Sequence, residues 1–243
     1  KFITKQADKY NWKVKSITRY RDLECWCVEE PITHTFMLDN GMVTGNCCLC
    51  NLHDMLDNGT VVHGIAIEQP HRFITAMTIA TQIITAVSSS QYGGISVTMA
   101  HLAPYVRKSF NEYFDKYTSW GFEEAKAKEF ATKDTEKEVR DGVQTFNYQV
   151  NSMSTTNGQA PFITVSLDIS ETDEYKDELA MIIKEFLEQR IEGMKNEQGI
   201  PITVAFPKLI YVLSEENIRQ DGGYYWLTEL AAKCTAKRMV PDY

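Results

Sequence analysis

Apolar residues recur along most of this chain with two alternating periods, and this alternation limits the folds that the chain can adopt. Between residues 70 and 90, apolar side chains such as Phe73, Met77 and Ile84 recur at helical spacing. Further helices are predicted over 102–117, 122–141, 175–195 and 226–237. Strands are predicted over 162–167, 202–207 and 209–213. Strands that alternate with helices are typical of an α/β sheet or barrel.

Residues 1–46 carry a different pattern. Short β-type runs occur at 12–18, 24–28 and 34–38. Asp39-Asn40-Gly41 is a tight-turn sequence because Asn-Gly adopts positive φ at low cost, and 42–44 supplies a returning strand. We therefore expect a small all-β unit over 1–46. A short strand-and-turn segment is predicted to follow from residue 47 to the turn at Asn58-Gly59.

The charge balance is acidic, with 33 acidic and 25 basic residues and a net charge of −8. Such a surface disfavours nonspecific binding to nucleic acid, and we expect no direct nucleic-acid partner. No apolar run approaches the roughly 20 residues that cross a bilayer, and the N-terminal stretch lacks the apolar core of a signal peptide. These features predict a cytoplasmic protein without a membrane partner. Because the chain begins at Lys1, we expect a fragment or a processed product.

Five of the six cysteines fall within the first fifty residues, and Cys234 is isolated. A disulfide framework spreads its cysteines more evenly, so reduced thiols are predicted. Cys47, Cys48 and Cys50 lie near His53 and leave a zinc site as an alternative. The paired spacing of a zinc knuckle is missing, so we assign no metal ligand.

The bond between Asn46 and Cys47 joins the two parts of the chain and has a chemistry of its own. An asparagine side-chain amide can attack its own backbone carbonyl, form a succinimide and break the chain, and a thiol that follows is a good nucleophile for acyl transfer. The surrounding stretch, roughly 18–47, resembles the C-terminal end of an intein. The resemblance lies in His34-Thr35-Phe36, Asn40-Gly41 and Asn46-Cys47, which follow one another in the order of that motif.

The intein resemblance implies a role for three residues. Asn46 is the residue that cyclises, Cys47 is the acceptor thiol at the start of the flanking protein, and His34 transfers a proton. One departure is Gly45, because most inteins carry a histidine at this position. The resemblance also implies a partner, the N-terminal half of the intein, without which splicing cannot be completed.

From residue 46 on, the chain resembles the anaerobic (class III) ribonucleoside-triphosphate reductases, especially the phage forms. The matching runs are NCCLCNLHDMLDNGT at 46–60, ATQII at 80–84, SSQYGG at 89–94, LAPYV at 102–106, STTNGQAPF at 154–162 and AKCTAKRMVPDY at 232–243. They imply that 47–243 is part of a ten-stranded α/β barrel of the glycyl-radical and ribonucleotide-reductase type. A protein of a bacterium or a phage-infected bacterium is expected.

The reductase resemblance implies radical reduction of ribonucleoside triphosphates to deoxyribonucleotides. The thiyl cysteine and the radical glycine of the family lie beyond Tyr243, so the isolated chain is expected to be inactive and to bind no cofactor. The complete enzyme is implied to carry a glycyl radical made by an S-adenosylmethionine/iron–sulfur activase and to use formate as reductant. Cys47 is implied to be the first-strand cysteine that helps the 2′-hydroxyl leave. Cys48 is then expected to pack on the opposite strand face, and Cys234 to be a buried structural thiol.

The same resemblance implies further binding sites and partners. The complete enzyme is expected to be a homodimer with dATP, dGTP and ATP as effectors, held near Gln82 and Lys116. A polar turn is expected to offer backbone N–H groups to the substrate phosphates, or to be a plain turn. It comprises Ser154, Thr155, Thr156, Asn157 and Gly158.

Two other functions are alternatives to an interrupted reductase. One is a self-processing intein fragment with an inactive flanking protein. The other is a nucleotide-binding module without catalysis, which gives no reason for the setting of Asn46-Cys47.

Overall fold

The computed structural model describes most of the chain from Cys48 onward and two short strands before it. The described residues are 35–37, 43–45, 48–62, 64–90, 94–155, 158 and 160–243, with the backbone alone for 35–37, 43–45 and 90. Within them the helices are α1 (Leu52–Asp57), α2 (Phe73–Ser90), α3 (Ala103–Ser119), α4 (Glu124–Ser152), α5 (Lys176–Glu192), α6 (Glu215–Ile218) and α7 (Tyr225–Arg238). The strands are β1 (Thr35–Met37), β2 (Val43–Gly45), β3 (Cys48–Leu49), β4 (Thr60–Val62), β5 (Ile65–Ile67), β6 (Ile95–Thr98), β7 (Ile163–Leu167), β8 (Met194–Lys195), β9 (Pro201–Ile202) and β10 (Lys208–Tyr211).

Four parallel strands form the central sheet, in the spatial order β3, β6, β7, β10. Among these four strands, spatial order follows chain order. The connection between each neighbouring pair contains at least one helix. Beyond β10, Asp242 forms a parallel bridge with Ile210, so the chain returns to the β10 edge. Consecutive parallel strands joined by helices are the arrangement found in the wall of an α/β barrel. The predicted α/β class is therefore confirmed.

One face of the sheet carries the hydrophobic core. Ile95 and Val97 of β6, Val165 of β7, and Leu209 and Tyr211 of β10 are buried. They belong to one apolar cluster with buried residues of α2, α4, α5 and α7. Because side chains alternate along a strand, the residues between them point to the opposite face.

Helix α4 is longer and more buried than its sequence predicts. The charged helix was expected over 122–141, with a mostly solvated surface, but it continues to Ser152 and fully buries Val143 and Phe146. Gly142 follows the predicted end and packs against the buried ring of Phe73. A Cβ at residue 142 would lie only 2.6 Å from Phe73 Cε1. Close packing thus offsets the roughly 1 kcal/mol that glycine costs inside a helix.

The predicted strand over 202–207 is wrong. Strand β9 has two residues and pairs with β8 in a short hairpin. The guanidinium of Arg190 donates hydrogen bonds to the backbone carbonyls of Val204 and Pro207. Those carbonyls are therefore satisfied by a side chain and not by a neighbouring strand.

Several short elements were not predicted from the sequence pattern. Strand β6 and the β4–β5 hairpin have three or four residues per strand. The predicted strand-and-turn segment that starts at residue 47 is largely helix α1, which begins where the Asn51 side chain accepts the N–H of Asp54 at 3.4 Å. Runs this short carry too few residues to define a period.

The predicted N-terminal hairpin is confirmed in its pairing. Strands β1 and β2 are antiparallel, with Phe36 opposite Thr44. The turn expected at 39–41 and the β-type runs at 12–18 and 24–28 lie outside the described residues.

Glu138 of α4 joins three helices. Its carboxylate accepts the N–H of Ile74 at 3.1 Å and the hydroxyl of Ser109 at 3.1 Å, and it forms an ion pair with Arg72. The residue is 6% exposed. Burial alone would raise the pKa of the Glu138 carboxyl, but the hydrogen bonds from Arg72 and Ile74 hold it below its usual range. A carboxyl of this kind stabilises the fold only while it is ionised.

We expect Glu138→Gln to lower the free energy of unfolding by about 2 kcal/mol at neutral pH, because the buried partner of Arg72 loses its charge. The loss should shrink as the pH falls through the depressed pKa, since the parent carboxyl is then protonated as well. Urea denaturation followed by circular dichroism measures both effects. Glu129→Gln is the control, because Glu129 is an exposed partner of Lys133 and should leave the midpoint unchanged. A Glu138→Gln midpoint equal to that of the control would contradict this account.

Candidate functional site

The face of the sheet opposite the core is polar and carries two rows of side chains. In the first row Ser96 pairs with Thr164 across neighbouring strands, and in the second row Thr98 pairs with Ser166. All four are partly exposed. At one end, Leu49 pairs with Ser96 and is 85% exposed, although it is a large apolar residue. We call this surface the open face, defined by Leu49, Ser96, Thr98, Thr164 and Ser166.

Parallel sheets in α/β proteins are normally covered on both faces. An open face with a ladder of hydroxyl groups is therefore the natural place for a polar ligand to lie. Hydroxyls both donate and accept hydrogen bonds, so they suit a ligand that is itself rich in hydroxyls.

Two of the three described thiols, Cys48 and Cys50, lie on the core side at the first strand, and the third, Cys234, lies on α7. Cys48 is half-buried and packs against the core, as strand alternation predicts, and Cys50 is buried with its sulfur 3.9 Å from the sulfur of Met55. Burial, and to a smaller degree the proximity of Cys48, raises the pKa of the Cys50 thiol to about 11. Cys234 is fully buried, as predicted, and burial raises its pKa as well. All three are free thiols.

The predicted splicing residues His34, Asn46 and Cys47 lie outside the described residues, as do Thr156 and Asn157 of the predicted phosphate-binding turn. The rest of that turn is described in part. Ser154 is exposed and Thr155 is buried.

The described end of the phosphate-binding turn is closed by its own backbone. Gly158 has a positive φ of 74° and donates its N–H to the carbonyl of Thr155 at 2.8 Å. This amide is therefore engaged within the turn, as in a β-turn. Any backbone groups that contact a phosphate here must come from other residues of the turn.

The two predicted effector residues lie at opposite ends of the helical layer. The neighbour of Gln82, Thr81, contacts Gln149 of α4, whereas the neighbour of Lys116, Tyr117, contacts Asp134 of the same helix. Fifteen residues separate these contacts, which is about 22 Å at 1.5 Å per residue. Within one chain, the neighbours of Gln82 and Lys116 therefore contact α4 at widely separated points.

Lys116 sits among aromatic rings. Its Nζ lies 4.8 Å from the ring centroid of Trp120 and 5.1 Å from that of Tyr117. Such a cation–π setting holds the ammonium at the surface of the α3–α4 turn.

A second polar cluster, missed by the sequence analysis, lies just beyond the C-terminal ends of β3 and β6. Asp57 accepts hydrogen bonds from Tyr105 at 2.7 Å and from Gln69 at 3.3 Å, and lies 3.2 Å from Nδ1 of His53. The ring of His53 is 5.9 Å from that of His101, whose Nδ1 is buried without a partner. Burial, and then the neighbouring His53, lowers the pKa of His101. The spacing of four residues between His53 and Asp57 was a signal available in the sequence.

Thr98 links the open face to this same edge of the sheet. Its hydroxyl donates to the carboxylate of Glu171 and accepts the N–H of Ala100 at 3.2 Å. Burial, together with the nearby Asp168 carboxylate, raises the pKa of Glu171. Neither Thr98 nor Glu171 stands out in the sequence, because only the strand register brings them together.

Within the part of the chain that the structure describes, no three His, Cys, Asp or Glu side chains are grouped to hold a metal ion. Cys47, which belongs to the alternative zinc site, lies outside those residues. Among the same residues, no helix is both long enough and apolar enough to span a membrane.

Comparison with known proteins identifies relatives for most of the chain. A family model described as "Anaerobic ribonucleoside-triphosphate reductase" matches residues 28–243. The chain is 36% identical over 200 residues to the anaerobic ribonucleoside-triphosphate reductase of Enterobacteria phage T4, covering 81% of this chain and 32% of that protein. It is 33% identical over 201 residues to the Escherichia coli enzyme of the same name, covering 81% of this chain and 27% of that protein. The chain thus spans about a third or less of these relatives.

The fold also matches solved structures. The anaerobic ribonucleotide reductase from Thermotoga maritima in complex with dATP and CTP aligns with a TM-score of 0.55 at 14% identity, over 79% of this chain and 32% of that chain. This likeness concerns the fold alone. The family match begins at residue 28, upstream of the predicted boundary at residues 46 and 47, so that boundary stays a prediction from the motif.

The thiol environments predict an order of chemical reactivity. We expect iodoacetamide at about pH 8 to alkylate Cys48 at least roughly tenfold faster than Cys50 or Cys234, because the thiolate is the reactive form and burial disfavours it. Peptide mass spectrometry at timed intervals measures the three rates. Unfolding in guanidinium should make the rates similar. Equal rates for Cys48 and Cys50 in the folded protein would contradict the described burial.

Proposed function

The chain belongs to the family of anaerobic ribonucleoside-triphosphate reductases, and we propose that it forms one wall of the catalytic barrel of such an enzyme. The complete protein reduces ribonucleoside triphosphates to deoxyribonucleotides. Formate, a proton and the ribonucleotide are converted to carbon dioxide, water and the deoxyribonucleotide, so the substrate gains hydrogen at C2′ and formate is oxidised. The observation that carries this proposal is the open, hydroxyl-bearing face of the parallel sheet, next to the strand that begins after Cys47.

Cys47 supplies the thiol of this wall. Strand alternation gives the reason to expect its side chain opposite that of Cys48, toward the substrate. A thiol suits radical chemistry because its S–H bond is weak and its sulfur can hold an odd electron. The glycyl radical of the complete enzyme, generated by an activase, supplies the spin that starts the reaction.

The open face holds the sugar of the substrate. Ser96, Thr164 and Ser166 offer hydroxyls in register, and a ribose carries hydroxyls that can donate and accept in return. The turn around Ser154 lies just before β7 and is the proposed contact for the phosphates.

Effector nucleotides bind between two reductase chains. The separation of Gln82 from Lys116 within one chain supports a site that takes Gln82 from one protomer and Lys116 from its partner. A structure of the Thermotoga maritima enzyme has dATP "bound in the specificity site". Binding of dATP, dGTP or ATP across the interface would favour the homodimer by mass action.

Protein splicing is the second proposed function, carried by residues up to Cys47. The antiparallel pairing of β1 with β2 supports an intein-like hairpin that precedes Asn46. Asn46 cyclises with a proton relayed by His34, and Cys47 accepts the acyl group after the N-terminal intein half has acted. Cys47 then serves both reactions in turn, so the reductase stays inactive until the intein has left.

We expect Cys47→Ser in the complete, intein-free enzyme to abolish deoxynucleotide formation, at least roughly a hundredfold, while substrate affinity stays within about twofold. A hydroxyl O–H bond is too strong for the hydrogen exchange that a thiol allows. Product formation is measured by chromatography, and binding by calorimetry. Cys48→Ala is the matched control, since its side chain packs on the core face and should leave turnover largely intact. Turnover of the Cys47→Ser enzyme near that of the parent would move the role to another residue.

We expect the purified chain to cleave slowly after Asn46, because the Asn side chain can cyclise without the N-terminal half of the intein. Intact mass spectrometry after long incubation should show a species that begins at Cys47. Asn46→Ala removes the attacking amide and should suppress this species. Equal release from the Asn46→Ala chain would refute the splicing proposal and leave the reductase proposal untouched.

A further inference from the structure

Phe162 is a half-exposed aromatic side chain on the side of the sheet that carries the open face. It directly precedes β7, and in the alternation of that strand it falls with Thr164 and Ser166. Its side chain is 50% exposed, unlike the buried Ile163 beside it. Half of the Phe162 surface is therefore open to a ligand that lies beside the hydroxyl groups.

A second ring supports Phe162 from the side. The ring centroid of Phe206 lies 5.1 Å from that of Phe162, with the planes tilted by 53°. The position of Phe206 is fixed by its backbone, because its carbonyl accepts a hydrogen bond from Asn151 at 2.9 Å. The two rings together therefore form a firm apolar platform at the N-terminal edge of the sheet.

Between this platform and the first strand lies a position without a side chain. The carbonyl of Gly94 accepts the N–H of Cys48 at 3.0 Å, and the carbonyl of Phe162 accepts the N–H of Ile95 at 2.8 Å. These bonds bring the starts of β3, β6 and β7 to one level. A Cβ on Gly94 would lie 3.3 Å from the Phe162 carbonyl oxygen, a tight approach. Gly94 thus permits the close approach of the β6 and β7 backbones beside the aromatic platform.

The chemistry next to the platform matches the two halves of a nucleoside. Thr164 lies two residues further along the same strand, about 6.6 Å away at 3.3 Å per residue, and Ser96 is its partner on β6. A nucleobase presents a flat π-face to an aromatic ring whatever its identity, and a ribose presents hydroxyls. The surface therefore offers an apolar plane and a hydroxyl row at a spacing comparable with the length of a nucleoside.

We infer that Phe162, supported by Phe206, stacks on the nucleobase of the ribonucleotide substrate and positions its ribose over Thr164 and Ser96 for the reaction. This inference rests on the proposed reductase function and adds a substrate-contacting residue to it. The alternative contact for Phe162 is an apolar side chain from the remainder of the complete protein. Kinetic and binding tests distinguish that side chain from a nucleobase.

The first test is steady-state kinetics on the complete enzyme with saturating dATP as effector. We expect Phe162→Leu to raise the KM for CTP about tenfold with little change in kcat, since one stacking contact is lost and the reacting groups stay in place. The increase should be larger for purine substrates, which have the larger ring area. Phe162→Tyr keeps the ring and should restore the parent KM. Phe122→Leu is the matched control, because Phe122 is also partly exposed but packs on Tyr117 and Phe130 at the start of α4.

The second test reads binding without turnover. Phe162→Trp in the complete enzyme places an indole on the platform, and CTP should quench the fluorescence that this variant gains over the parent. Inorganic triphosphate, which has no base, should not. Phe122→Trp is the control and should respond to neither.

The outcomes separate this inference from the proposed function. Parent-like KM values for Phe162→Leu in an active reductase would overturn the stacking role and leave the reductase function intact. Equal losses for purine and pyrimidine substrates, or quenching by inorganic triphosphate, would indicate a packing role for Phe162 and would also overturn it. Quenching of the Phe162→Trp enzyme by CTP, together with a parent enzyme that forms no deoxynucleotide, would support the platform while refuting the proposed reaction.

Discussion

A buried carboxylate from one helix caps the start of another, and much of this fold depends on that contact. Helix α2 begins without a capping residue of its own, since the residues before it are Pro70, His71 and Arg72. The first N–H groups of α2 are instead satisfied by Ser109 and Glu138, which come from α3 and α4. A helix start buried without such acceptors would leave unpaired donors in the core. These contacts hold the start of α2 against α3 and α4. The core face of the sheet packs on the layer that the three helices form.

The sequence patterns predicted the longer elements well and the shorter ones poorly. Helices α2, α3, α5 and α7 and strand β7 lie close to their predicted positions because each contains enough residues to define a period. The end of α4 could not be predicted, because Gly142 weakens a helix in general but here meets the ring of Phe73. The strand expected over 202–207 failed for a similar reason. Arg190, distant in sequence, takes the carbonyls that a strand partner would need. In each case a tertiary contact overrides the local preference.

The candidate site likewise contains some features that the sequence reveals and others that it does not. The Asn46-Cys47 pair is visible in sequence because its chemistry is that of two adjacent residues. The hydroxyl rows of the open face are invisible there, since Ser96 and Thr164 become neighbours only when β6 and β7 pair in one particular register. The link from Thr98 to Glu171 is hidden for the same reason. Register is thus the information that local patterns lack, and it is also what assembles a polar surface from single residues far apart in the chain.

The contact between Gly142 and Phe73 has a consequence for how proteins of this family diverge. The ring of Phe73 is fully buried and fills the space that any side chain at residue 142 would need. Residue 142 can therefore gain a side chain only if Phe73 changes or moves. A relative with alanine or a larger residue at the equivalent of 142 must carry a smaller side chain at the equivalent of 73, or must shift α2 away from α4. Such a shift would move the surface that carries Gln82. Correlated substitutions at residues 73 and 142 among relatives should therefore accompany differences in the packing of α2 on α4.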